Sequence, residues 1–473
     1  MRHFKFGRKF SLWLLCSFLV VFTIYSFHFL FEAYSRQSLH IPSLWNETVP
    51  CQSDERKSKK ASLRFSNSES TWTCAGNMNY ESEWYSRTCA FKNICYNKEK
   101  KVFQFYRKPG SVRKPVLFEP KLGHIYEFNM NNHGFVSLVA RPSHKESWGP
   151  TIVEELLPSP DKVPYLEHVH VLFLHWYVTF NLGHVTWEDI ASTYFAMVRL
   201  NEYDRNAVLL EYQNYPKRGD QFYQMYENLI PAFAAKVDSL DNYMNNFSSP
   251  LICFQTIVAG GAQPVFSIDH ESYTHGKETL LYDFRTAVLR YHGINVLNLP
   301  KRHRIVLVNK TNALRKSLRA IKNLIEVKQF INVTYPEIQL DVIDWSRYSF
   351  SQQLHELYKT TILITPCGGI SAIIPFLPEG THAIVMDYYV NKAAYLPGER
   401  YQVGESGSME AALWNYFHHV RKLYYQVRSA EDYILDFPEA SDTRHDAAIR
   451  VNTTRLKELI EIAFEESSLN PKH

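Results

Sequence analysis

The stretch Lys359–Tyr389, KTTILITPCGGISAIIPFLPEGTHAIVMDYY, constrains the fold of this chain more than any other. It reads as strand, glycine turn, short helix, turn and strand. Ile362, Leu363 and Ile364 form an uninterrupted apolar run, the pattern of a parallel strand buried on both faces. Gly368 and Gly369 let the backbone turn sharply and approach a ligand closely. Ser371 stands where it can cap or line the following helix, which Pro378, Glu379 and Gly380 close. A second strand, Ala383 to Met386, ends on Asp387. In an open α/β sheet, ligands bind beyond the carboxyl ends of the strands. Helix amides just past a Gly-Gly turn suit a phosphate group, and Asp387 suits a ribose hydroxyl. The plain alternative is a Gly-Gly pair that only turns the chain.

The same rhythm runs through the rest of the sequence. Val169 to Trp176 is a strand pattern, and Ile190, Tyr194, Met197 and Val198 follow at helical spacing. Ala207 to Leu210 reads as a strand and Gly219 to Leu240 as a helix. Cys253 to Val258, Gly260-Gly261 and Val265 to Ile268 continue this half. The rhythm restarts around Tyr291 to Pro300. Ile305 to Val308 reads as a strand, and Leu314 to Val327 as a helix carrying Arg315, Lys316, Arg319 and Lys322. Leu340 to Ile343 is a strand, Ser349 and Gln352 make a capping box for a helix reaching Tyr358, and Thr454 to Phe464 is a last helix. Alternating βα units predict parallel sheets with covering helices, here in two Rossmann-like halves. The first spans 71–290, opening with a small cysteine-stapled β region from Trp72, and the second spans 291–473. With 45% hydrophobic and 21% charged residues the chain is globular rather than disordered, and a net charge of +4 makes no case for nucleic acid as partner.

Phe10 to Phe31 is apolar and without formal charge, long enough to span a bilayer, and Arg2, Lys5, Arg8 and Lys9 precede it. This pattern predicts a signal anchor with residues 1–9 cytosolic and the remainder in the secretory lumen. Residues 32–70 are polar and charged and read as a stem. Asn46, Asn246, Asn309, Asn332 and Asn452 head Asn-x-Ser/Thr sequons. Cys51, Cys74, Cys89 and Cys95 cluster early, while Cys253 and Cys367 stand alone. In an oxidising lumen such a cluster suggests disulfides; zinc is the alternative, although no Cys-x-x-Cys pair is present.

Three groups of residues point to chemistry. His184 and Glu188, four apart, share a helix face, with Asp189 beside them. A carboxylate next to a histidine fixes its tautomer and raises its basicity; a histidine that merely caps the helix is the other reading. Lys310, Arg315 and Arg319 place positive charge just after a strand, where a diphosphate needs it, or where a helix simply presents a solvated face. Last, the chain contains no Asp-x-Asp motif, the feature on which metal-dependent sugar transferases of another fold place their ion.

The Gly-Gly turn, PFLPEG and a strand ending in an acid resemble the signature of glycosyltransferase family 61, which includes plant β-1,2-xylosyltransferases and animal O-linked N-acetylglucosaminyltransferases. Asn181-Leu182-Gly183-His184 with Glu188 resembles the family's N-x-G-H-x-x-x-D segment, and HRIVLVNKTNALRKSLRAIKN its strand and Arg-rich helix. The likeness runs from about Cys89 to Tyr389 and is strongest over Arg304 to Asp387. Cys367 stands where the family usually has His, and Lys310 where it usually has Arg. The resemblance implies a GT-B architecture, two Rossmann-like domains facing a cleft. It also implies inverting transfer of a sugar, GlcNAc or xylose, from a UDP-sugar to a glycan or glycoprotein. His184, Glu188 or Asp189 would be the base. Lys310, Arg315, Arg319, Cys367, Gly368, Gly369, Ser371 and Asp387 would hold the nucleotide, with no metal required. Golgi or endoplasmic reticulum is the implied compartment. A non-catalytic luminal glycan-binding or escort protein, derived from a transferase, is the rival expectation.

Overall fold

The computed structural model describes residues 69–75, 87–110, 116–119, 124–127, 136–138, 147–174, 183–212, 221–260, 279–310, 319–386, 417–425, 433–434, 448–467 and 469. The segment Phe10 to Phe31, Asn46, Cys51, Arg315 and Asp387 lie outside the described residues. Among those described, no helix is long and apolar enough to cross a membrane. Residues Asn67–His473 form one compact unit.

An eight-stranded mixed sheet occupies the first half. Its strands are β1 (Thr71–Ala75), β2 (Thr88–Asn97), β3 (Val102–Tyr106), β4 (Thr151–Val153), β5 (Tyr165–Phe173), β6 (Val208–Glu211), β7 (Lys236–Ser239) and β8 (Leu251–Ala259). They run β7–β6–β5–β8–β2–β3–β4, with β1 also paired to β2. The first four in that order are parallel, and β2 is antiparallel to β8. Connecting them are a π-helical turn (His184–Ile190) continuing into α1 (Ala191–Arg199), then α2 (Gln221–Leu229) and α3 (Leu240–Asn245). Helix α4 (Leu280–Tyr291) leads into the second half.

There, β9 (Arg304–Val308), β10 (Gln339–Ile343), β11 (Ile362–Pro366), β12 (Thr381–Met386) and β13 (Val420–Tyr425) form an all-parallel sheet in the order β10–β9–β11–β12–β13. Every residue of β9, β11 and β12 is buried, as expected of strands covered on both faces. Helices α5 (Leu324–Thr334), α6 (Phe350–Leu357) and α7 (Thr453–Glu466) cover it. The capping box of α6 forms as its sequence demands: Ser349 Oγ accepts from the Gln352 amide and Gln352 Oε1 from the Ser349 amide. Both halves are mixed α/β with Rossmann-like parallel sheets. A single apolar cluster joins them, with Val171 and Val258 of the first sheet, Val306, Leu363 and Val385 of the second, and Trp187, Phe284 and Phe376 between.

Two sequence expectations are corrected. Helix α2 ends at Leu229 and does not reach Leu240; Pro231 cannot continue an α-helical hydrogen-bond ladder, and Lys236–Ser239 pairs with β6 as a strand. Helix α5 begins at Leu324, and residues 319–323, expected within a helix from Leu314, are not helical; Leu314 itself lies outside the described residues. Ile321 bridges to Ile449, and the Lys322 and Ile449 amides bond across to Ile449 and Ala320 carbonyls, which keeps this segment extended. Arg319 therefore sits before the helix, at φ +54°. Three of the four early cysteines form disulfides, in pairings that the sequence left open. Cys74 bonds to Cys89, but Cys95 bonds to Cys253. Each pair stands directly opposite across antiparallel strands, β1 to β2 and β2 to β8, an adjacency that sequence spacing does not reveal.

The Cys95–Cys253 bridge closes a separation of 158 residues and is buried. Long loops lose the most unfolded-state entropy on cross-linking. Replacing both cysteines by Ala should cost about 2–4 kcal/mol, read as a lower urea midpoint.

His170 on β5 is 1% exposed. Its Nδ1 donates to the His168 carbonyl, and its Nε2 lies 3.0 Å from the Tyr243 hydroxyl. Burial pushes its pKa down from 6.5 to about 4. The unfolded chain therefore binds the extra proton first. His170 leaves stability intact above pH 6.5 and erodes it as pH falls towards 4, by on the order of 3 kcal/mol. Unfolding titrations at pH 7 and pH 4 should show this loss, and His170→Gln should flatten the difference.

Candidate active site

In the second sheet the chain order is 2-1-3-4-5, so the strand order reverses between β9 and β11. Ligand crevices in such sheets open at that switch point, beyond the carboxyl ends. Asn309 and Lys310 follow β9 there, and Cys367 to Ser371 follow β11. Gly368 has φ +102° and ψ −160°, a region that side chains other than hydrogen do not tolerate. A Cβ at this position would also collide with Arg319 Nη1 and lie 3.2 Å from its Cζ. The guanidinium thus packs against the glycine turn, although its residue stands nearly fifty positions earlier in the chain. Ser371 is fully buried, and its hydroxyl donates to the Gly368 carbonyl at 2.7 Å, which ties the turn shut from inside. Cys367 is half-buried and takes part in neither disulfide.

The first sheet has its own switch point. The parallel strands run 3-2-1-4, and reversal falls between β5 and β8. A small hollow lies at their carboxyl ends, lined by residues that include Phe173, Gly260, Glu188, Asp189 and Ser192. Glu188 and Asp189 are 1% and 4% exposed. His184 Nδ1 sits 2.6 Å from Glu188 Oε2, the i, i+4 pair expected from the sequence. With the carboxylate ionised, Nδ1 donates and the neutral ring carries its lone pair on Nε2. Asp189 lines the same hollow as Glu188.

The two switch points are physically coupled. Trp187, between His184 and Glu188 in sequence, is fully buried and donates from Nε1 to the Ala372 carbonyl at 2.9 Å. Ala372 belongs to the 3₁₀ helix Gly369–Phe376 that follows the glycine turn. The indole also packs on Phe284, Phe376 and Phe417, with ring centroids 5.2–5.7 Å apart. Sequence reasoning missed Trp187, because an aromatic residue at helical spacing reads as ordinary core. It also missed the fully buried Arg285 on α4 and Arg87, whose backbone carbonyl closes on Gly260 at the edge of the hollow. Among the described residues, no three His, Cys, Asp or Glu side chains converge to hold a metal ion.

Paired Rossmann-like sheets, each with polar or charged residues gathered at its switch point, define an α/β fold of the kind that binds ligands beyond its strand ends. The family model described as Glycosyltransferase 61 matches residues 167–384, from β5 through most of β12. That match supports membership of glycosyltransferase family 61 and, with it, a glycosyltransferase activity. No curated protein matches the chain.

Proposed function

We propose that this glycosyltransferase moves a sugar, GlcNAc or xylose, from a UDP-linked donor to a glycan or glycoprotein hydroxyl with inversion. The observation that carries this reading is the Trp187–Ala372 hydrogen bond, which seats the His184–Glu188 pair against the element following the glycine turn. The halves 71–290 and 291–473 act as acceptor and donor domains in the GT-B manner. The acceptor oxygen attacks the anomeric carbon while its proton passes to His184 Nε2. The bond from that carbon to the diphosphate breaks, and UDP leaves with the electron pair. Glu188 holds the imidazolium as it forms, and Asp189 is the alternative base. Arg319, Lys310 and the amides of Gly368 and Gly369 stabilise the leaving diphosphate, with Arg315, Cys367, Ser371 and Asp387 completing the donor side. Positive charge lying on the turn supports a clamp that works without a metal ion.

The same proposal places Phe10 to Phe31 as a single-pass type II anchor in the Golgi or endoplasmic reticulum, with the transferase luminal. Two disulfides and exposed sequon residues Asn246, Asn332 and Asn452 support that compartment. Asn309 is half-buried beside Lys310.

Thermal unfolding of the chain against UDP-, GDP- and CMP-sugars, with and without EDTA, tests the reading. A ligand at 100 times its Kd should stabilise by about 2.7 kcal/mol. The expected result is a raised midpoint with one UDP-sugar, unchanged by EDTA. A shift that EDTA abolishes would overturn the metal-free clamp, and no shift with any UDP-sugar would remove the donor assignment.

A further inference from the structure

The 3₁₀ helix Gly369–Phe376 has eight residues and Pro375 near its end, so its last carbonyls cannot all be satisfied within it. They are satisfied from α4. Arg285, 1% exposed, donates from Nε to the Pro375 carbonyl and from Nη2 to the Leu377 carbonyl, both at 2.5 Å. Its guanidinium also lies over the Tyr282 ring at 5.0 Å. His419 Nε2 stands 3.1 Å from the same Pro375 carbonyl. A buried cation thus grips the negative end of the short helix, while Trp187 grips its middle at Ala372. Both residues come from the first half of the chain. At the other end of this helix stands the Gly368 turn with the Arg319 guanidinium packed on it.

We propose that Arg285 is a positioning residue for the donor side: by clamping the Pro375 and Leu377 carbonyls it fixes, together with Trp187, where the Gly368–Gly369 turn stands. The assignment of a donor role to that turn rests on the function proposed above; the clamp itself rests on the contacts alone. A planar fork that meets two carbonyls at once cannot be replaced by an ammonium group without losing one of them. Arg285→Lys therefore keeps the charge and loses the geometry. Trp187→Phe keeps the ring packing and loses the bond to Ala372.

Amide hydrogen exchange and UDP affinity, both on the full chain in mild detergent, form the test. In each variant, exchange across 367–376 should quicken by about tenfold or more, with β9 and β12 unchanged. UDP should bind about tenfold more weakly in each. Unchanged exchange at 367–376, or an equal quickening across both sheets, would overturn the clamp and leave Arg285 a core residue. Failure of Arg285→Lys to fold would have the same meaning. UDP affinity unchanged in variants with a loosened turn would sever the clamp from donor binding. A loosened turn in a protein whose wild type does not bind UDP would instead remove the donor reading and leave the clamp standing.

Discussion

Replacing His184 by Ala should lower turnover by about 10²–10⁴-fold while UDP binds as before, because a positioned general base contributes that much to proton transfer and nothing to holding the nucleotide. The ring is anchored by a strong contact, Nδ1 to Glu188 at 2.6 Å, and is itself only partly buried. Its loss leaves Trp187 and the apolar cluster intact. Glu188→Gln is the informative companion. The amide oxygen still accepts the Nδ1 proton and keeps the ring in place, but it supplies no charge to stabilise an imidazolium. Turnover should fall by a smaller factor than in His184→Ala, about 10- to 10²-fold. Steady-state rates with saturating donor and acceptor, alongside UDP titration, separate these effects. Full turnover in His184→Ala would transfer the base assignment to Asp189, which lines the hollow beside Glu188. Full turnover in Asp189→Asn as well would remove the acceptor-side base from this helix altogether.

Gly368→Ala should weaken UDP binding by about 10²-fold and leave the fold standing. The backbone at φ +102° costs about 1–3 kcal/mol for any residue with a Cβ, and the new methyl must also push the Arg319 guanidinium off the turn. A charge-assisted hydrogen bond to a phosphate oxygen is worth about 1.5–3 kcal/mol, so displacing one is enough for a tenfold loss or more. Arg319→Gln isolates that share, since it removes the charge without straining the turn. Calorimetric titration of UDP into the three proteins measures each part. Equal affinity in wild type and Gly368→Ala would show that the glycine turn is only a turn and that the nucleotide sits elsewhere.

Much of this architecture was legible in the sequence. Strands β9, β11 and β12 are buried on both faces, so their residues are uniformly apolar and the pattern admits few other readings. The capping box at Ser349 and the His184–Glu188 pair are contacts three and four residues apart, set by helix geometry alone. The glycine turn was legible because Gly368 adopts a conformation that other residues avoid.

What the sequence determined by itself is therefore local: periodicity, caps, turns, i, i+4 pairs and the resemblance of its motifs to a family. What only the tertiary structure decided is everything that depends on which distant segments meet. Arg319 was expected on a helix because its neighbours suit one, yet pairing of Ile321 with Ile449 holds that stretch extended and lets the guanidinium reach Gly368. Cys95 could not be matched to Cys253 before β2 was known to lie beside β8. Trp187 and Arg285 look like core and surface residues in one dimension, and become the two attachments of the glycine-turn helix only when the halves pack together. The reason is physical: a helix or turn is specified by neighbours along the chain, whereas an indole or guanidinium finds its carbonyl across nearly a hundred residues or more through the burial of a shared core.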